Sequence, residues 1–250
     1  MDSQVPLLVK RTGNILTLSL NNTNKRNALN TELMGAAAAA LENIVNYPEI
    51  RVVIIRGEGS VFCSGADVSN WKPNELQSLL SAIVDCSLPT IAAVHGACLG
   101  GGMGLACSCD FILAEKGTLF GFPEVRIGMV PVIISPYVYR KMQLSKMREL
   151  FLTGEKFSTK KALSFGLLYD KSVKDLDRAI NNLISKISIG GPNAQTNIKK
   201  LLNSDLMFKD VEDRDSDLAT FISEIKEGVE CQEGINSFLE KRKPSWSIDD

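Results

Sequence analysis

Two segments of the chain could do chemistry with main-chain groups alone. The first, GACLGGGMGLACSCD from Gly96 to Asp110, runs three consecutive glycines into small apolar residues with no Lys, Ser or Thr directly behind them. A nucleotide-hydrolase phosphate loop needs Lys and a hydroxyl residue after its last glycine, but here Gly102 is followed by Met103 and Gly104. A dinucleotide fingerprint needs a third glycine where Cys107 stands, so both nucleotide readings are excluded. Two readings remain. One is a tight turn where backbones pack closely; the other is a glycine turn opening a short helix near Met103, with free N–H groups at its positive end. A second segment, GSVFCSGADVSNW from Gly59 to Trp71, follows the apolar run RVVII much as the triple glycine follows IAAV. Two such turns can each lend one N–H to the same oxygen, which favours an oxyanion hole.

The elements that must carry these turns alternate. NILTLSLN reads as a half-buried strand, RVVIIRGEG as a buried strand ending in a turn, and TIAAVHG as another buried strand. Asn30 is placed to cap a helix that runs through Leu33, Ala36 to Ala40, Leu41 and Val45 and is closed by Pro48. Pro73 opens a second helix through Leu76, Leu79, Leu80 and Ile83. DFILAE and TLFGF are strand-like, ISPYVYRKM begins a helical region continuing through TKKALSFGLL, and from Asp175 onward the pattern is almost entirely helical. Alternating strands and helices followed by helices alone predict an α/β core with a helical appendix, whose amphipathic faces suit packing against another subunit.

Composition narrows the function classes. The chain has 250 residues, 44% hydrophobic and 23% charged, enough to bury a core without disulfides or metal. A formal net charge of -1 offers no broad basic surface for nucleic acid. No segment approaches a membrane span and the N-terminus lacks a leader pattern, so a soluble cytoplasmic protein is expected. The six cysteines read as buried reduced thiols; Cys107 and Cys109 are one residue apart and His95 is the only histidine, so no metal site is expected.

Six pieces, NKRNALN, FCSGADV, PTIAAVHGACLGGGMGLACSCDF, FGFPEVRIGMVP, FLTGEKFSTKKALSFGLL and EGINSFLEKRKPSW, stand in order across nearly the whole chain. Together they resemble the enoyl-CoA hydratase/isomerase, or crotonase, superfamily. The resemblance implies a spiral of ββα repeats over residues 1–190, with the acyl-CoA site, and a C-terminal helical region over 191–250 that builds homotrimers or hexamers. It implies coenzyme A as part of the substrate and no prosthetic group. Carried over by position, the oxyanion donors fall on the N–H groups of Ala66 and Gly101, where loss of one donor is worth about 3 to 4 kcal/mol. CoA contacts fall along Arg26, Ala28 and Ser64 to Val68, including Asp67, and Lys241 matches a residue that reaches CoA phosphates from a neighbouring subunit. Ser69 stands where a CoA-binding Lys is common. Asp67 itself reads as a turn residue bonding local backbone.

The carboxylates set the expected chemistry. Two-glutamate hydratases of the superfamily place one Glu two residues after the triple glycine, where this chain has Gly104, and a second where it has Glu124. Glu124, flanked by Phe120, Phe122 and Val125, is then the single candidate acid/base, its pKa raised by desolvation. One carboxylate suffices to move a double bond between the 3- and 2-positions. CSCDF followed by PEVRIGMVPVIISPYV is nonetheless similar to hydratases of branched or carboxylated enoyl-CoA, of the methylglutaconyl and geranoyl types, which themselves often carry Gly at the first position, and to dehydrating relatives acting on carrier-bound pantetheine thioesters. A hydratase or dehydratase is therefore expected first, a 3-enoyl- to 2-enoyl-CoA isomerase second, and a non-catalytic scaffold on the same fold third.

Overall fold

The apolar runs assemble in a computed structural model that describes residues 5–70, 72–171, 173–204 and 211–247, with the side chains of 211–216 left out. Trp71, the end of the second glycine segment, lies outside the described residues, as do 205–210 of the helical region. The chain divides into two compact units, Met1–Cys86 with Thr90–Asn181, and Ser87–Pro89 with Asn182–Asp250.

The first unit begins with β1 (Leu7–Thr12), β2 (Ile15–Leu20), α1 (Thr31–Glu42), β3 (Val52–Gly57), α2 (Pro73–Asp85) and β4 (Thr90–Val94). It continues with β5 (Ala97–Leu99), α3 (Gly101–Ser108), β6 (Phe111–Ala114), β7 (Leu119–Gly121), α4 (Ser135–Tyr139), α5 (Leu144–Thr153), β8 (Lys156–Ser158) and α6 (Thr159–Ser164). β1 to β4 and β6 form a sheet in the order β1-β2-β3-β4-β6, antiparallel only between β1 and β2. A parallel sheet is covered on both faces, and β4 is accordingly buried at all five residues. β5, β7 and β8 form a second, three-stranded sheet.

Local signals set the helix starts. The Asn30 side chain accepts from the Leu33 N–H at 2.9 Å, and Pro73 occupies the first turn of α2, whose Leu76, Leu79, Leu80 and Ile83 are buried. Several boundaries differ from the sequence expectation. α1 stops at Glu42 and a 3-10 turn, Asn43–Asn46, carries the chain toward Pro48. α3 begins at Gly101, two residues early, because Gly100 supplies the helix entry. His95 follows β4 rather than joining it, with Nε2 3.0 Å from the Gly59 carbonyl. Three strands were not marked in the sequence: β5 lies inside the glycine segment, β1 buries only Leu7, and β8 buries only Phe157, whose ring stacks on Phe120 at 5.6 Å.

The second unit is helical, with the end of α7 (Leu176–Ser188), α8 (Pro192–Asn203), α9 (Val211–Glu227) and α10 (Val229–Leu239). The Glu230 carboxylate of α10 accepts from the first-turn N–H groups of Asn193 and Ala194 at 2.8 and 2.7 Å, which fixes α10 against the positive end of α8. An apolar groove of about 540 Å³ lies between α8 and α9, lined by Ile198, Leu201, Phe221 and Ile222 among others.

Candidate active site

The two glycine segments are stitched side by side by main-chain hydrogen bonds. Phe62 N–H donates to His95 O at 2.9 Å, Cys63 N–H to Ala97 O at 3.1 Å, and Leu99 N–H to Cys63 O at 3.0 Å. The NKRNALN loop binds the same bend from its other side: Ser64 N–H donates to Arg26 O, Leu29 N–H to Gly65 O, and Asp67 N–H to Leu29 O, at 3.0, 2.8 and 2.9 Å. A parallel bridge centred on Leu29 uses Gly65 O and Asp67 N, so the N–H of Ala66 between them points away from Leu29. Among the described residues neither the Ala66 N–H nor the Gly101 N–H has a protein acceptor. Gly101 is also the first residue of α3, where helix geometry leaves N–H groups unpaired.

Each of the three glycines makes room for a different neighbour. A Cβ on Gly100 would lie 3.1 Å from Glu124 Oε1 and 3.7 Å from Gly65 Cα, and its φ of +51° strains any side chain. On Gly101 a Cβ would lie 3.2 Å from Ala66 N and 3.3 Å from Leu29 Cδ1. On Gly102 it would press on Cys63, 2.8 Å from its Cβ. The triple glycine is thus the place where the FCSGADV bend, α3 and the FGFPE turn come within contact of one another.

Glu124 enters from the 3-10 turn Pro123–Ile127 that follows β7. It is half-buried, and its Oε2 is buried without a hydrogen-bond partner. Desolvation raises its pKa, opposed by a bond from its own backbone N–H. Asp67 is the opposite case: Lys25 Nζ at 2.7 Å and Ser69 Oγ at 2.6 Å hold its carboxyl at about 2, so it is an ionised turn residue that also accepts from Ser69 N–H. Ser69, in the position of the common Lys, therefore serves the turn.

A cavity of about 560 Å³ opens over these groups, within the 300–1,000 Å³ usual for small-molecule sites. Ser64, Gly65, Ala66, Val68, Gly100, Gly101 and Glu124 line it together with the segment from Ile127 to Ile134. Of the other residues singled out in the sequence, Ala28 is buried beside the bend, Arg26 is exposed with φ +53°, and Lys241 belongs to the second unit, just after α10.

Sequence reasoning missed three contributors. Asn27 is fully buried with φ +55°; its Nδ2 donates to Glu58 O and Val61 O, both at 2.8 Å, and its Oδ1 accepts from Asn22 N–H. A polar residue between Arg26 and Ala28 in a quoted motif was the available signal. Lys25 was missed because its partner is 42 residues away. The third, Ile134, is 2% exposed and fills the space beside Gly104. A Cβ on Gly104 would overlap Ile134 Cγ2 and come within 3.2 Å of Leu80 Cδ1. Gly104→Ala is therefore expected to lower stability by about 1–3 kcal/mol. In urea denaturation, combining it with Ile134→Ala should cost less than the sum of the two changes; strict additivity would mean that the two sites do not compete for space.

Among the described residues no group of three or more His, Cys, Asp or Glu side chains is arranged to hold a metal ion, and no helix is long and apolar enough to cross a membrane. The thiols of Cys63 and Cys107 are pushed up to about 12 by burial, which leaves them protonated and unreactive.

Two strand layers with a helical C-terminal region, and a glycine-lined cavity holding one carboxylate, define an α/β enzyme of the crotonase type. The enoyl-CoA hydratase/isomerase family profile matches residues 10–248, and the chain belongs to that family. It is 30% identical to the mevalonyl-coenzyme A hydratase of Aspergillus fumigatus over 94% of this chain and 92% of that protein. It is 29% identical to the 2,3-dehydroadipyl-CoA hydratase of Escherichia coli over 96% and 98%. The crystal structure of an enoyl-CoA hydratase from Shewanella pealeana superposes with a TM-score of 0.91 at 30% identity, covering 96% of both chains. Family membership carries hydratase-type activity on acyl-CoA thioesters.

Proposed function

We propose that the chain is an enoyl-CoA hydratase or dehydratase whose thioester oxygen is held by the Ala66 and Gly101 N–H groups while Glu124 alone moves the proton. The observation that carries this is the position of Gly100. A single missing Cβ separates the Glu124 carboxylate from the bend that presents the Ala66 N–H, so acid and donors share one small volume. As the α-carbon gains carbanion character, charge flows to the thioester oxygen, where two N–H groups and the positive end of α3 stabilise the enolate. In the hydration direction, ionised Glu124 takes a proton from water as its oxygen adds to the β-carbon, and the acid so formed protonates the α-carbon. Dehydration is the reverse. The raised pKa suits a group that must give a proton as well as take one.

Ile134 favours a second reading. With hydrocarbon beside Gly104, nothing at that position positions a water, whereas a double-bond shift needs only one base to carry a proton from the α- to the γ-carbon. Mass spectrometry of a panel of 2-enoyl- and 3-enoyl-CoA thioesters separates the two. Gain of one water supports hydration, unchanged mass with altered absorbance supports isomerisation, and no reaction on any member of the panel refutes both.

CoA is proposed to run along Arg26, Ala28, Ser64 and Val68, with Asp67 holding their loop, and Lys241 is proposed to meet its phosphates from a neighbouring subunit. The division of labour is a core over 1–190 that binds acyl-CoA and a region over 191–250 that assembles trimers or hexamers. The exposed apolar residues of α8 and α9, Ile198 at 54% and Ile222 at 60%, support such an assembly. The cytoplasm is the proposed location.

A further inference from the structure

The cavity offers an acyl chain few polar contacts. Its walls beyond the glycines are hydrocarbon: Leu76, Ile127, Met129, Val130, Val132 and Ile134. Among the described lining residues the one ionisable group is Glu124, and the Ser64 hydroxyl is already donating to Lys25 O at 3.2 Å. Two of the cations on adjoining segments are paired with carboxylates. Lys25 lies 2.7 Å from Asp67, Lys72 lies 3.4 Å from Glu75, and the Arg126 side chain packs beside Gly154.

We propose that this cavity selects thioesters whose acyl chain is hydrocarbon from the γ-carbon outward and rejects those carrying a distal carboxylate. The inference rests on the reading that the acyl chain enters this cavity beside Glu124. A carboxylate carried against these walls gives up part of its hydration and meets no cation among the described lining residues, whose one ionisable group is Glu124. A methyl group at the same place gains burial. The resemblance to hydratases of branched or carboxylated substrates is thereby divided, and this chain falls on the uncharged side.

A matched pair tests it with the full-length protein. trans-2-Hexenoyl-CoA and 2,3-dehydroadipyl-CoA differ only at the far end, as do the saturated ligands hexanoyl-CoA and adipyl-CoA. Calorimetry should give hexanoyl-CoA a Kd at least about 30-fold lower, and kcat/KM for the hexenoyl substrate should be at least about 100-fold higher. Ile127→Arg, at a lining position that is 64% exposed and so tolerant of a long side chain, should narrow the binding ratio about fivefold or more by supplying the missing cation. Binding ratios within about threefold of unity, or a preference for adipyl-CoA, would overturn the proposal whether or not turnover is seen. Selective hexanoyl-CoA binding without turnover of either substrate would uphold it and sink the hydratase reading. Failure of both saturated ligands to bind would overturn both.

Discussion

Glu124→Gln is expected to lower turnover on the preferred enoyl-CoA about 1,000-fold while making the protein more stable at neutral pH. Glutamine keeps the size and the place beside Gly100, where an added Cβ would lie 3.1 Å from the side-chain oxygen, but cannot exchange a proton. The gain in stability follows from linkage. Burial raises the folded-state pKa above the unfolded value, so the folded state binds the extra proton. Stability contributed by the protonated group is fully present below the unfolded pKa and is lost as pH rises through the folded one. As pH rises through the folded pKa, the wild type comes to carry an ionised Oε2 with no hydrogen-bond partner, and the glutamine variant does not. In thermal melts the variant should lie above the wild type at neutral pH, and the gap should close as pH falls below the ordinary carboxylate range. In the proposed hydration, which works from ionised Glu124, the acidic limb of the wild-type rate profile should lie higher than for an unperturbed glutamate. Near wild-type turnover in Glu124→Gln would rule out Glu124 as the proton carrier.

The second large effect is expected at Gly101→Ala. The added methyl would stand 3.2 Å from Ala66 N and 3.3 Å from Leu29 Cδ1, against one of the two proposed donors. Alanine is a better helix former than glycine and φ at Gly101 is not left-handed, so α3 itself should tolerate the change. kcat/KM should fall about 100- to 1,000-fold, as for loss of one oxyanion donor. If the loss resides in the transition state, kcat falls with kcat/KM and the Kd of CoA alone is unchanged. An active Gly101→Ala enzyme with unchanged circular dichroism would remove the two-amide site from the mechanism and leave the triple glycine as a packing device. Gly102, whose added Cβ would press on Cys63 rather than on the cavity, provides the contrast: alanine there should cost stability first.

Much of this site could be read from the chain because its signals are local. The buried strands, the Asn30 cap, the Pro73 helix start and the two glycine bends each depend on a few consecutive residues, and each appears in the structure. β1 and β8 were hidden for the complementary reason. Edge strands that bury one residue in six and one in three lack the alternation that marks a half-buried strand. Helical periodicity likewise ran across β8, because a three-residue strand is shorter than one helical turn.

By itself, the sequence determined the class of fold, the pair of main-chain bends, the loss of a carboxylate at Gly104 and the retention of one at Glu124. Those are statements of residue type and order, which survive without coordinates. Only the tertiary structure decided that three segments close on Gly100, that Ile134 takes the room a second glutamate would need, that Lys25 reaches across to Asp67, and that the cavity walls offer no free cation among the described residues. These depend on contacts between residues far apart in the chain, and packing at van der Waals distance sets them, which no local pattern encodes.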